Sequence, residues 1–325
     1  MLKKEILRLL LLSALLAVWS VFSVANSNYS KRNTAVPTPV PERPTEHLVQ
    51  TTYDLPLNSS DKAPPLIEAK DANLQNRLQD ALDSNPTLRR LIASKKMSLG
   101  LVDLSDVSEP KFAGINEHTM LYAASLPKIV VLLAVQEAID QNELTETKAI
   151  RDDMNAMIRF SNNAATTRLI DLVGYQKLEA IVRHPKYRFY DEDSGGGLWV
   201  GKRYSKAGNT NREPLKQLSH AATAFQVCRF YYYLCYGKLI SYERSKDMLG
   251  IMKNPGLKHK FVYALKTINP NAELYRKSGS WKNWHADSVL VWDADKRYIV
   301  VALIEDPNGE AIIRQLIKPI ESILY

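Results

Sequence analysis

The hydrophobic pattern of this 325-residue chain predicts strands near both ends and helices between them. Residues 97–125 hold an apolar run, a turn-like SDVSEP and a second strand-like run, which together predict a β-hairpin. Three runs near the C-terminus predict further strands: ELYRKSGSWKN, HADSVLVWDAD and RYIVVALIED. We therefore expect one antiparallel sheet whose two halves come from the two ends of the chain.

Apolar residues at helical spacing predict the helices. DANLQNRLQDALDSNPTLRRLIASKK precedes the hairpin with a break near Pro86, and GEAIIRQLIKPIESILY closes the chain with Pro319 inside it. From Leu126 to about Leu249 the pattern is mainly helical, apart from the loop YDEDSGGGLWVGKRYSKAGNTNREP. The predicted fold class is α+β: an antiparallel sheet flanked by N- and C-terminal helices, with a separate helical lobe.

The first 65 residues lie outside this pattern. MLKKEILR is basic, residues 9–25 are apolar, and Ser23-Val24-Ala25 offers a small-residue cleavage site, as in a secretory signal peptide. The 17 apolar residues are also at the lower limit for a membrane-spanning helix, so cleavage and retention as an inner-membrane anchor both stay open. Residues 26–65 are rich in Pro, Thr and Ser and predict a disordered linker. We expect residues 66–325 to form one exported, periplasmic domain.

Composition narrows the function classes. The net charge is +8, but Lys and Arg are scattered singly beside acidic residues, which favours anionic envelope partners over nucleic acid. Cys228 and Cys235 lie about 10 Å apart along one predicted helix, too far for a disulfide, so we expect two buried core residues. The six histidines show no metal-ligand spacing. We expect a monomer that uses no metal or organic cofactor.

Three Ser-x-x-Lys matches occur, and their contexts differ. The match at Ser59 falls in the predicted linker, and the match at Ser108 falls in the hairpin turn, where Pro110 breaks any helix. Only Ser125, in LYAASLPKIVVLLAV, opens a predicted helix, on which Lys128 would share its face. Taken alone, this pair indicates a helix cap and an exposed lysine. A nucleophile with its base is the competing interpretation.

A lysine acting as a base at neutral pH must lose about three pKa units, equivalent to about 4 kcal/mol, which burial and a nearby second cation can supply. IVVLLAV provides apolar surroundings, and Lys277 in YRKSGSW provides a second cation. In the same segment Gly279 would let a substrate backbone lie against the strand edge. Between the two motifs, Ser161-Asn162-Asn163 predicts a helix junction, and by itself only a plain cap.

The three motifs in this order, Ser-x-x-Lys, Ser-x-Asn and Lys-Ser-Gly, resemble those of the class A serine β-lactamases and their D,D-peptidase relatives. The resemblance covers roughly Leu99 to the C-terminus. It implies the same α+β fold and an acyl-enzyme mechanism. It further implies that Ser125 is the acylated nucleophile, that Lys128 is its base or proton relay, and that Ser161 passes a proton toward the leaving nitrogen.

The same resemblance implies the residues that bind the substrate. Asn163 would hold the substrate amide, and Lys277 with Ser278, next to Gly279, would bind its carboxylate. The backbone amides of Ser125 and Ser280 would form the oxyanion hole, where each donor is worth a few kcal/mol.

The sequence departs from the family pattern in two ways, of which the second bears on function. The second motif is Ser-Asn-Asn rather than Ser-Asp-Asn, which matters little because the middle residue points away from the substrate in the family. The Glu-x-x-Leu-Asn loop, whose glutamate activates the water that releases the acyl group, has no counterpart. The corresponding region offers Asp191, Glu192 and Asp193, with a poor partial match at Glu213.

Two further residues are predicted near the pocket. Trp199, in the Gly-rich loop, would pack a substrate at the rim of the active site. His285, just past the Lys-Ser-Gly strand, would either border the pocket or make a structural hydrogen bond.

The sequence predicts an active-site serine hydrolase that cleaves β-lactams through an acyl-enzyme on Ser125. A D,D-carboxypeptidase or endopeptidase acting on peptidoglycan stem peptides is the alternative, because the deacylating glutamate is missing. A non-hydrolytic penicillin-binding envelope protein is the third hypothesis.

Overall fold

The computed structural model describes residues 54–57, 64–205 and 208–325. Its strands are β1 (Met97–Asp103), β2 (Lys111–Ile115), β3 (Leu121–Tyr122), β4 (Tyr190–Asp191), β5 (Gly196–Gly197), β6 (Trp199–Val200), β7 (His220–Ala222), β8 (Glu273–Trp281), β9 (Trp284–Trp292) and β10 (Arg297–Glu305). Its α-helices are α1 (Ala72–Asp83), α2 (Pro86–Ala93), α3 (Lys128–Asp140), α4 (Lys148–Arg159), α5 (Asn163–Arg183), α6 (Ala224–Cys235), α7 (Tyr242–Met252), α8 (Phe261–Ile268) and α9 (Gly309–Leu324). Short 3-10 helices cover Leu66–Ala69 and Glu192–Ser194.

The predicted sheet is confirmed. Five antiparallel strands lie in the order β2-β1-β10-β9-β8, so strands from the two ends of the chain meet where β1 pairs with β10. Successive side chains of a strand point to opposite faces. Along β10, Ile299 and Val301 face the core of the helical lobe, while Tyr298 and Val300 face the core formed with the terminal helices. Both faces of the sheet are covered, and the interior strands β1 and β10 are accordingly almost continuously apolar.

The helices also follow the sequence prediction. The break near Pro86 separates α1 from α2, with Asn85 as the N-cap of α2 and Pro86 in its first turn. The closing helix α9 contains Pro319, as expected. Helix α3 is buried on almost every side and forms the centre of the helical lobe, which explains why KIVVLLAV has no polar face. Cys228 and Cys235 are both buried and unbridged in α6, which confirms their prediction as core residues.

Part of the segment predicted as a disordered linker, residues 54–57, is packed against the domain. Leu57 is buried, and its amide donates to the Cys235 carbonyl at 2.8 Å. Tyr242 donates from its hydroxyl to the Pro56 carbonyl at 3.1 Å. The prediction is therefore wrong for residues 54–57, because a short apolar segment inside a Pro-rich stretch can still dock on a helix. The predicted signal or anchor segment lies outside the described residues, and none of the helices described is long and apolar enough to cross a membrane.

The Gly-rich loop contains structure that the sequence did not predict. Strands β3, β7 and β6 form a small sheet, and β4 pairs with β5. Each of these strands has two or three residues, which is too short to produce a periodic pattern. The small sheet matters for the site, because it lies directly before the turn that carries Ser125.

Candidate active site

Ser125 lies in the tight turn between β3 and α3. Ala124 has a positive φ of 49°, which a residue with a side chain adopts only when its surroundings hold it there. The Ala123 amide donates to the His220 carbonyl at 2.9 Å, and the Tyr204 hydroxyl donates to the Ala124 carbonyl at 3.0 Å. The helix itself begins at Lys128, with Pro127 as its cap, so the predicted start at Ser125 is three residues early. The turn is thus tied to the small sheet on one side and to the helix on the other.

Lys128 is fully buried at the start of α3. Its ammonium donates to the Ser161 carbonyl at 2.7 Å and to the Asn163 side-chain oxygen at 2.8 Å, and lies 3.4 Å from the Ser161 hydroxyl. The expected hydrogen bond between Lys128 and the Ser125 hydroxyl is not found among the described residues. Burial lowers the pKa of Lys128 to about 7. The chain therefore holds a lysine whose neutral form is available near neutral pH.

Ser161 links the first motif to the third. Its hydroxyl lies 3.0 Å from the Lys277 ammonium and 3.4 Å from that of Lys128. Lys277 also donates to the Ser278 carbonyl at 2.7 Å. Burial, together with the positive charges of Lys128 and Arg276, holds the pKa of Lys277 well below its usual value. One hydroxyl thus connects two lysines, a geometry suited to moving a proton between them.

Gly279 lies where β8 approaches the turn of Ser125. A Cβ atom at this position would be 2.2 Å from the Ala123 carbonyl oxygen and 2.6 Å from the Ser125 amide nitrogen. The glycine is therefore needed for contact between strand and turn. The sequence had predicted instead that it makes room for a substrate backbone.

A cleft of about 810 Å³ opens over this junction and is lined by Ser125, Asn163 and Ser280. None of the described residues along its wall is Asp or Glu. Four of them are cationic: Lys202, Arg203, Arg212 and Lys282. Aromatic side chains complete the wall: Tyr122, Tyr204, His220, Trp281 and Trp284. The cleft suits an anionic ligand that carries flat or apolar groups. Lys277 and Ser278, predicted to bind a carboxylate, lie buried behind it.

The carboxylates predicted as deacylation candidates do not line this cleft. Asp191 pairs with Arg188 at 2.5 Å, and Glu192 pairs with Arg183 at 2.8 Å. Asp193 lies with them in the 3-10 turn after β4. The side chains of Asp191 and Glu192 are therefore occupied in ion pairs of this loop, and none of the three carboxylates lines the cleft.

Glu213 is fully buried and completely hydrogen-bonded. Its carboxylate accepts from the Tyr190 hydroxyl at 2.9 Å, and from the amides of Leu215, Lys216 and Leu218 at 2.8 Å each. With four donors its oxygens have no capacity left to activate a water. Glu213 holds the loop before β7 together.

Trp199 and His285 differ from their predicted positions. Trp199 is only 2% exposed; its indole donates to the Asn211 carbonyl at 2.6 Å and its ring packs on Tyr190, so its prediction as a rim residue is wrong. His285 does not line the cleft. Neither of its ring nitrogens has a hydrogen-bond partner among the described residues, and burial lowers its pKa. It packs against Gly309 instead.

The sequence analysis missed two aromatic residues beside Lys128. The Tyr204 ring covers the Lys128 ammonium at 4.4 Å and lies 4.3 Å from the ring of His220. Burial raises the pKa of Tyr204 well above its usual value and lowers that of His220 to about 4, so both are neutral at pH 7. Tyr204 lies in a Gly-rich loop and His220 in a short strand, and neither sequence context indicates that these rings lie beside Lys128.

Three buried charged residues behind the Lys-Ser-Gly strand were also missed. Arg276 makes two hydrogen bonds to Asp287, at 2.6 and 3.0 Å, and both side chains are buried. Charged residues inside otherwise apolar strands, as in YRKSG and HADSV, could have indicated this pair. The third, Lys260, precedes α8 and has no such signal. Within the described part of the chain no cluster of three metal-ligating side chains occurs.

Comparisons with known proteins agree with this fold. The model of the beta-lactamase enzyme family matches residues 83–154 and 147–325. A solved structure of PBP-A aligns with a TM-score of 0.58 and 18% identity, over 80% of this chain and 97% of that one. A β-lactamase from Sphaerobacter thermophilus aligns at 0.57 and 17%, over 76% and 95%. A class A β-lactamase described as the last common ancestor of Gram-negative bacteria aligns at 0.59 and 13%, over 78% and 100%. No curated protein sequence matches the chain significantly.

Proposed function

The chain belongs to the beta-lactamase enzyme family, and we propose that it is an active-site serine hydrolase acylated at Ser125. The observation that carries this proposal is the junction of the three motifs. Lys128, Ser161 and Lys277 form one hydrogen-bonded group. Lys128 also binds Asn163, which lines a cationic cleft together with Ser125. A nucleophile, a neutral amine and a proton relay are the parts that acyl transfer needs.

In the proposed acylation step the Ser125 oxygen attacks the substrate carbonyl carbon, and the neutral amine of Lys128 accepts the hydroxyl proton. The backbone amides of Ser125 and Ser280 hydrogen-bond the resulting oxyanion. Ser161 then donates a proton to the departing amide nitrogen and regains one from the Lys128 ammonium, while Lys277 holds it in place. The C–N bond breaks, and an ester on Ser125 remains.

For the release step we propose the behaviour of a D,D-peptidase. No described residue lining the cleft is a carboxylate, and the neutral ring of Tyr204 covers the Lys128 amine. A water near the ester therefore lacks a strong base. A cleaved peptide loses its leaving amine and opens the cleft, whereas an opened β-lactam keeps its ring nitrogen attached. We expect D-alanyl peptides to be processed and β-lactams to remain bound as long-lived esters.

β-Lactam hydrolysis, which the sequence analysis placed first, is the second candidate, and one observation favours it. His220 Nε2 donates to the Lys202 carbonyl, so Nδ1 can accept from the Ser219 hydroxyl at 3.0 Å, and both residues line the cleft. A water could pass a proton to Ser219 as the serine proton moves to His220. Because the pKa of His220 is about 4, this base is weak and the turnover it supports is slow.

The proposed substrates are components of the cell envelope. Export to the periplasm, with residues 9–25 either cleaved or kept as an anchor, belongs to this proposal, because peptidoglycan stem peptides and β-lactams both reach an enzyme there. The cationic cleft supports an anionic substrate of this kind.

Three probes test the function on the full chain: a fluorescent penicillin, a chromogenic cephalosporin and a stem peptide ending in D-Ala-D-Ala. Lasting fluorescent label, release of D-Ala and little cephalosporin turnover would support the peptidase. Rapid cephalosporin turnover would establish the β-lactamase instead. Label with neither reaction would indicate a penicillin-binding protein without hydrolysis. If no label forms at any pH, Ser125 is not a penicillin-reactive serine.

Acylation should depend on the protonation of Lys128. Since only the neutral amine accepts a proton and its pKa is about 7, the labelling rate should rise about tenfold per pH unit at low pH and stop rising near pH 7. Measuring the rate of penicillin labelling between about pH 5 and pH 8 checks this. The Lys128→Arg variant, which stays protonated, should lose the rise. A wild-type rate that is constant over the range would contradict the role of Lys128 as base.

A further inference from the structure

Lys260 is a fully buried lysine immediately before α8, and the acylation scheme above does not use it. Its ammonium donates three hydrogen bonds, to the Gly279 carbonyl at 2.6 Å, the Ser280 hydroxyl at 2.7 Å and the Ala286 carbonyl at 3.0 Å. No ion pair to a carboxylate is found for it within the described residues. A buried cation without a paired anion is costly, so its presence at this place calls for an explanation.

The hydrogen bond from Lys260 to the Gly279 carbonyl provides an explanation for this buried cation. The Gly279 carbonyl and the Ser280 amide belong to the same peptide group. In a trans peptide the C=O and N–H bonds point in opposite directions. Lys260 lies on the carbonyl side, so the Ser280 N–H points away from it, and Ser280 lines the cleft beside Ser125. A charged donor on the carbonyl draws electron density from the peptide and makes its N–H a stronger donor.

We propose that Lys260 is a positioning residue for acyl transfer, which orients and polarises the Gly279–Ser280 peptide so that its N–H stabilises the oxyanion. The proposal rests on the acylation of Ser125 described above. As negative charge develops on the substrate oxygen, the Ser280 N–H bonds to it, and the positive charge of Lys260 lies at the other end of the same peptide. The interaction therefore strengthens in the transition state more than in the ground state. Lys260 itself does not touch the substrate.

Lys260 keeps its positive charge near neutral pH despite its burial. Burial lowers its pKa to about 8, and Arg276 acts in the same direction, while Asp287 and Glu310 favour the protonated form. The lysine is thus mostly charged at pH 7. The other titratable groups whose charges act on or respond to Lys260 are His259, Lys277 and His285.

Two substitutions test the role. In Lys260→Met the side chain keeps its length and loses its charge, and we expect the rate of acylation by fluorescent penicillin to fall roughly ten- to a hundredfold, with little change in the concentration that half-saturates it. Lys260→Arg, which keeps the charge, should recover most of the rate. Lys253→Met is the matched control, because this lysine pairs with Glu273 at the far end of the same strand. It should label at the wild-type rate. Thermal melting shows whether each variant is folded.

The pH profile separates the proposed role from a structural one. As pH rises through about 8, Lys260 loses its charge, and the wild-type acylation rate should decline. In Lys260→Arg the decline of the acylation rate should move to higher pH. Lys277 is present in both proteins, so its titration does not contribute to the difference between the two pH profiles. If Lys260→Met does not fold, the pH profiles of the wild type and Lys260→Arg still test the proposal.

Three results overturn the proposal. They are wild-type acylation by folded Lys260→Met, an unchanged alkaline decline in Lys260→Arg, and absence of label on the wild-type chain. Only the last also removes the proposed function.

Discussion

Ser125→Ala should abolish covalent labelling of the full chain by fluorescent penicillin, with a loss of roughly 10³-fold or more in acylation rate. The alanine variant has no oxygen to form the ester, and none of the described residues places another serine hydroxyl in the turn between β3 and α3. The measurement is label intensity against time after denaturing electrophoresis, with peptide mapping of the labelled site. Because Ser125 is partly exposed and its hydroxyl makes no hydrogen bond within the described residues, we expect the melting temperature to stay nearly unchanged.

Ser108→Ala is the matched control for this experiment. Ser108 begins another Ser-x-x-Lys match, but it lies in the exposed turn between β1 and β2, where its hydroxyl bonds Asp106 at 2.6 Å. This variant should label as fast as the wild type. Equal labelling of Ser125→Ala and the wild type would remove Ser125 as the nucleophile and the family mechanism with it.

Gly279→Ala should lower the acylation rate by roughly 10²-fold, although the substitution adds only one methyl group and does not change Ser125 itself. Its Cβ would meet the Ala123 carbonyl oxygen at 2.2 Å and the Ser125 amide at 2.6 Å, and both are backbone atoms that cannot rotate away. The strand and the turn must therefore move apart. That motion separates the Ser125 amide from the Ser280 amide, so the two donors no longer converge on one oxyanion.

Gly250→Ala is the matched control, because Gly250 is exposed on α7 and a Cβ there meets no atom within 4 Å. It should label normally and gain about 0.5–1 kcal/mol in stability from the higher helix propensity of alanine. The measurements are the labelling rates and melting temperatures of Gly279→Ala and Gly250→Ala. Normal acylation by Gly279→Ala would show that contact between strand and turn is not required.

Much of the fold could be predicted because its elements are long and periodic. Strands β8, β9 and β10 each have nine residues, and they lie where the sequence placed them. Docking of Leu57 on α6 could not be predicted, because a single apolar side chain in a Pro-rich stretch has no period. For the same reason the two- and three-residue strands around the Gly-rich loop were missed.

In the site, too, some features were predicted from the sequence and others were not. Ser125, Lys128, Ser161 and Lys277 were predicted from motif order. The structure joins Lys128, Ser161 and Lys277 through hydrogen bonds and places Ser125 in the wall of the cleft. Trp199 was placed at the rim because an aromatic residue beside glycines resembles a binding loop, yet its ring is buried on Tyr190. Local composition does not tell which side of a loop faces the protein.

The sequence by itself determined the long helices and strands, since each depends on residues close together in the chain. The order of the three motifs, which can be read without a structure, made Ser125 the candidate nucleophile. Only the tertiary structure decided the pKa of Lys128, the carboxylate-free wall of the cleft and the contact of Gly279 with the turn. It alone placed Lys260 behind the Gly279–Ser280 peptide. Burial and close approach depend on segments that are distant in the chain, as Ser125 is from Gly279, and such contacts are set by packing of the whole domain rather than by local pattern.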